Sequence, residues 1–90
     1  MKLSDRVRIP QEVIARQVGD ETVMLDLAKG TYYGLDPVGA RMWQLLLEGK
    51  TLAEVCDVIA DEYDVSRDSL ERDLLSLVDS LVAHGLIALA

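Results

Sequence analysis

A chain of ninety residues with one cysteine and a net charge of −7 makes a single domain, residues 1–90, without an internal disulfide or a cysteine-based metal cluster. Half of its residues are hydrophobic and only two are proline, which excludes a disordered chain. The charge is uneven: residues 1–50 carry seven basic and seven acidic residues, and residues 51–90 two arginines and nine acids, a balance that repels nucleic-acid phosphates and anionic membranes.

The N-terminal MKLSDRVRIP lacks the apolar stretch of a secretory signal. Apolar runs such as Leu86 to Ala90 are far shorter than a membrane span, so a cytoplasmic protein is expected. Within this first segment DRVRI (5–9) alternates and predicts a short strand or an arm. VIARQV (13–18) and ETVMLDL (21–27) read as strands joined by the two-residue turn Gly19-Asp20. After Ala28-Lys29-Gly30 a third strand, TYYGL (31–35), completes an antiparallel meander. Alternation places Thr31, Tyr33 and Leu35 on one face and Tyr32 and Gly34 on the other. Tyr33, sharing a face with Leu35, is expected to point inward and Tyr32 outward.

From residue 36 the apolar period becomes helical. Asp36 and Pro37 are suited to the N-cap and first turn of a helix reaching about Glu48, with Val38, Met42, Leu45 and Leu46 on its inner face and Trp43 in the core. Thr51-x-x-Glu54 is a capping box that opens a second helix with the stripe Leu52, Val55, Cys56, Ile59 and Tyr63. Ser66 caps a third helix, 66–84, which Gly85 stops, and Leu86 to Leu89 form an extended tail packing back. The order βββααα predicts an α+β, winged-helix-like domain: a three-stranded antiparallel sheet followed by three helices.

Two features point beyond a core. On a wheel of about 100° per residue with Leu70 at zero, Leu74, Leu77, Leu81 and Val78 fall at about 40°, 340°, 20° and 80°, an ordinary core stripe. Leu75 and Val82 fall near 140° and 120°. This wide arc fits either a central helix packed on both sides or a helix whose Leu75, Val78 and Val82 line an apolar groove. The strand 31–35 is a sheet edge without charge or proline, so its unpaired backbone groups are open to an added strand. Catalysis has no comparable support. Cys56 lies on an apolar helix face and His84 is remote from it in sequence, with no base set beside a nucleophile. The acids of DEYD (61–64) lack calcium-loop spacing, and no metal or cofactor is expected.

The segments LDLAKGTYYGLDPVGARMWQLLLEGKTLAEV and YDVSRDSLERDLLSLVDSLVAHGLI resemble the PqqD-like family, whose domain is also called the RiPP recognition element, for ribosomally made, post-translationally modified peptides. The shared pattern matches at Gly30, Tyr32, Tyr33, Leu35, Gly39, Trp43, Gly49, Thr51, Tyr63, Gly85, Leu86 and Ile87. Asp36 stands where Asn is commoner, and the Cys-Asp-Gly stretch of the quinone-pathway members is absent. The chain is therefore more similar to the stand-alone members found with lasso-peptide precursors. The resemblance implies a non-catalytic adaptor that binds a precursor's leader segment as a strand added to 31–35, in a cleft against the third helix. It also implies delivery to a protease of transglutaminase-like fold, followed by a macrocyclase. Thr31, Tyr32, Tyr33, Gly34, Leu75, Val78, Asp79 and Val82 are the peptide-binding positions that geometry then suggests, in a monomer or a weak dimer through the sheet edge. The competing classes are a winged-helix DNA-binding regulator, disfavoured by the acids surrounding Arg67 and Arg72, and a small self-associating structural subunit.

Overall fold

The computed structural model describes residues 2–90; Met1, the first residue of the expected 1–90 domain, lies outside it. Along the chain run β1 (Val7–Arg8), β2 (Val13–Val18), β3 (Glu21–Asp26), β4 (Thr31–Leu35), α1 (Pro37–Leu47), α2 (Leu52–Glu62), α3 (Arg67–Ala83) and β5 (Ala88–Leu89). The meander forms as expected, in the order β2-β3-β4 with both pairs antiparallel. Its first turn closes because Gly19 adopts φ 62°, the positive value that a tight hairpin needs at its first central residue and that a side chain would disfavour. β3 stops one residue before its expected end: Leu27 enters the turn and is exposed.

Asp26 ends β3 and is buried. Its Oδ1 accepts hydrogen bonds from the backbone N–H groups of Ala28 and Lys29 at 3.0 and 3.2 Å, so the buried carboxylate is satisfied by the turn that it organises. The inner face of the sheet carries Val13, Met24, Tyr33 and Leu35, and the register sets Met24 opposite Tyr33.

The helices begin where the capping residues predicted. Asp36 Oδ1 accepts from the Gly39 N–H at 2.7 Å, with Pro37 as the first helical residue. Thr51 and Glu54 form the complete capping box. Ser66 Oγ accepts from the Ser69 N–H at 3.2 Å. Buried residues from each helix then meet in one core: Met42, Trp43, Leu45 and Leu46 from α1; Leu52, Val55, Cys56 and Ile59 from α2; Leu70, Leu74, Val78 and Leu81 from α3. Leu86 and Ile87, just after α3, close it.

Both terminal segments find a place that the sequence had left open. β1 pairs antiparallel with β5, Val7 opposite Leu89. The residues before β1 then reach the start of α2: the Asp5 and Leu3 carbonyls accept from the Leu52 and Ala53 N–H groups at 3.0 and 2.7 Å. The capping box takes the other two donors: the Thr51 hydroxyl accepts from the Glu54 N–H, and Glu54 Oε1 accepts from the Thr51 N–H. All four orphan donors of a helix N-terminus are thereby satisfied within the chain.

Candidate functional site: the cleft between β4 and α3

β4 is an edge of its sheet, with β3 on one side and, among the described residues, no strand on the other. Its five residues include no charge and no proline. In an antiparallel edge strand, successive residues direct their N–H and C=O groups alternately toward the neighbour and outward. The outward groups form a free template, and beside it opens a cleft of about 490 Å³.

Four elements wall this cleft. β4 contributes Tyr33, Gly34 and Leu35, and the first turn of α1 adds Asp36, Val38 and Gly39. Ile59 and Tyr63 come from the end of α2, and Val65 from the loop that follows. α3 supplies Ser69, Leu70, Asp73 and Leu77. The floor is thus apolar, with polar groups at its margins, as in binding clefts generally. Just past the end of α3, the His84 ring meets Tyr33 edge-to-face, centroids 5.1 Å apart, while its Nδ1 lies 2.7 Å from the Ser80 carbonyl. Tyr33 is held by packing at the joint of sheet and helix.

The tyrosines divide as alternation predicted. Tyr33 is half-buried against the core, and Tyr32 is 73% exposed on the outer face of the sheet. Tyr33 and Gly34 line the cleft, and Thr31 sits half-buried at the start of the same strand. The expected helix positions Leu75, Val78, Asp79 and Val82 lie outside the lining of this cleft. Val78 is fully buried and serves the core. Leu75 is partly buried against the core, Asp79 is exposed, and Val82 is 39% exposed. On the wheel used above, the cleft residues Ser69, Asp73 and Leu77 fall at about 260°, 300° and 340°. They occupy the flank of the core stripe opposite to Leu75 and Val82. Apolar character pointed to one flank, but the direction from which the sheet approaches decides which flank faces it, and that direction is a tertiary property.

Tyr63 was missed for a related reason. It was expected on the α2 core stripe, but α2 ends at Glu62 and Tyr63 turns to extended backbone (φ −129°, ψ 145°), which releases its ring from the stripe into the cleft wall. Beside it, Arg41 of α1 donates to Glu62 through Nε at 2.8 Å and Nη2 at 2.7 Å, pinning the end of α2 to α1. On the other side of α2, Arg67 donates to Asp57 and Glu71. These hydrogen bonds hold the Glu62 carboxyl below its ordinary range and raise the Arg41 and Arg67 guanidinium groups further above theirs.

No nucleophile or metal set accompanies the cleft among the described residues. Cys56 is buried away from it, and burial pushes its thiol above the ordinary 9.0, the opposite of an activated cysteine. No group of three or more metal-ligating side chains occurs among the described residues. No helix among them is long and apolar enough to cross a membrane.

An open sheet edge against a helix-walled apolar cleft marks a class of small α+β domain with the geometry that strand addition uses. The family model described as Coenzyme PQQ synthesis protein D (PqqD) matches residues 21–87, and the chain belongs to that family. No curated protein matches it. Two solved structures are similar over nearly the whole chain. One is TbiB1 in complex with the TbiA(beta) leader peptide, 44% identical, covering 89% of this chain and 93% of that one with a TM-score of 0.80. The other is a lasso peptide synthetase B1 complexed with the leader peptide, 34% identical, covering 91% and 96% with a TM-score of 0.81. The family, the fold and the likeness to leader-binding proteins of lasso-peptide synthesis thus agree with the resemblance read from the sequence.

Proposed function

We propose that this protein is a non-catalytic, cytoplasmic adaptor for the maturation of a ribosomally made precursor peptide. It binds the precursor's leader segment as a strand added to β4, with alternate side chains entering the cleft against α3. The observation that carries this reading is the uncharged, unpaired β4 edge lying directly beside an apolar cleft. Two similar proteins of the same fold, each solved in complex with a leader peptide, support it. The adaptor then presents the precursor to a processing protease of transglutaminase-like fold, with a macrocyclase acting on the product. DNA binding is the poorer reading, because Arg67 of α3 is committed to Asp57 and Glu71.

Fluorescence polarisation with labelled leader peptides encoded beside the gene tests the binding step, and micromolar or tighter affinity is expected. Strand addition is tested with Tyr32→Pro and Tyr33→Pro. Because adjacent residues face opposite ways along an edge strand, one of the two N–H groups points outward and the other toward β3. The proline that removes the outward donor should leave the fold intact and weaken the peptide by about tenfold or more. The other should destabilise the β3–β4 ladder. Wild-type affinity in both folded variants would rule out addition at β4. Delivery is tested by cleavage: the partner protease should process full precursor faster with the adaptor present, and the proline variant should abolish the gain.

A further inference from the structure

Among the residues lining the cleft, only Asp36 and Asp73 carry a formal charge. No cation lines the cleft among the described residues, and Arg41 and Arg67 are paired with Glu62 and with Asp57 and Glu71. The two aspartates are not equivalent. Asp36 Oδ1 is occupied by the Gly39 N–H, and the positive end of α1 that it caps offsets part of its charge. Asp73 lies two turns into α3, beyond the reach of that helix's N-terminal dipole. It is exposed, and no side chain among the described residues pairs with it. The cleft therefore presents an uncompensated negative charge on its α3 wall, next to Leu70 and Leu77, with a second on its α1 wall.

A lysine or arginine suits this arrangement. Its aliphatic stem packs on apolar surface while the head reaches the carboxylates at the margin. A glutamate at the same place would meet two like charges, so the cleft also selects by exclusion. We infer that the cleft selects an extended peptide bearing one basic residue among apolar ones, with the cation at Asp73 and Asp36 as the second acceptor. This inference rests on the strand-addition reading above and specifies the chemistry of the strand.

The test is selection from a phage-displayed library of random peptides of about fifteen residues, a length that covers the five-residue edge several times over, against three proteins: wild type, Asp73→Asn, and the proline variant of β4 that keeps its fold. Wild type should enrich apolar sequences with Lys or Arg at one recurring position and no acid there. Asp73→Asn should enrich apolar sequences without that preference, and the proline variant should enrich neither. Synthetic peptides from the wild-type pool should then bind about three- to tenfold more tightly with Lys than with norleucine at that position, and the gap should close in high salt. Enrichment of apolar strands with no basic position, or a preference that survives in Asp73→Asn, overturns the inference and leaves strand addition standing. If wild type enriches nothing that the proline variant fails to bind, strand addition falls and this inference with it.

Discussion

At the scale of single residues, the start of α2 shows how one side chain links pH to stability. Glu54 Oε1 accepts from the Thr51 N–H at 2.8 Å, and the Thr51 hydroxyl accepts from the Glu54 N–H at 3.2 Å. The backbone bond from Thr51, and then the side-chain bond, hold the Glu54 carboxyl below its ordinary 4.5. A carboxyl lowered in the folded state stabilises the fold above its unfolded value, and that contribution disappears as pH falls through the lower folded value. Glu62, lowered by Arg41, acts in the same direction at the other end of α2. Glu54→Gln keeps a neutral acceptor for the Thr51 N–H but loses the charge at the helix N-terminus. We expect wild type to melt above Glu54→Gln at pH 7, and the two melting temperatures to converge below about pH 4, followed by circular dichroism across the pH range. A constant gap would mean that the charge of Glu54 contributes nothing.

At the scale of elements, β1 and the residues before it hold more than a two-residue strand suggests. Asp5 and Leu3 supply acceptors to α2, Arg6 supplies its carbonyl to the Ala90 N–H at 2.9 Å, and Arg6 Nε donates to the Gly49 carbonyl at 3.0 Å. Leu3, Val7 and Ile9 pack against the core. Removing residues 1–6 frees three backbone donors and uncovers part of α2, and at about 0.5–1.5 kcal/mol per hydrogen bond plus the lost burial we expect a cost of about 2–4 kcal/mol. Urea denaturation of the truncated chain measures it, and a loss under about 1 kcal/mol would mean that water replaces the arm at the helix end. Elements differed in how much of this was legible. Caps and periods are local, so Asp36, Thr51, Ser66 and the helices they open could be read directly, as could the inward Tyr33 and outward Tyr32. The pairing of β1 with β5 joins the two chain ends, and the α3 flank facing β4 depends on the packing angle. No local pattern encodes either one, so the helical period alone could not mark Leu77 and Asp73 as cleft-lining positions.

At the scale of the whole molecule, the open edge that suits a peptide also suits a second copy of the chain. The two edges of the main sheet are unequal. β2 carries Arg16 and is mostly exposed along its length, so its antiparallel self-pairing would bring like charges together. β4 has no such guard, but every copy carries a net charge of −7. Repulsion between copies acts over a Debye length of roughly 30 Å at 0.01 M salt and roughly 8 Å at 0.15 M. Self-association through β4 should therefore be suppressed at low ionic strength and increase with salt. Light scattering across protein concentration should give the monomer mass at 0.01 M salt and a rising mass at 0.15 M and above. Two manipulations identify the edge. The β4 proline that removes the outward donor should return the protein to monomer at every salt concentration, and saturating leader peptide should do the same, because peptide and second copy compete for one row of backbone groups. Association that persists with both would place the contact on β2 or on the outer sheet face around Tyr32. A monomer at all salt concentrations would mean that a five-residue edge needs the side-chain anchors of a peptide in the cleft before strand pairing becomes favourable, since isolated pairs of short strands are marginal in water.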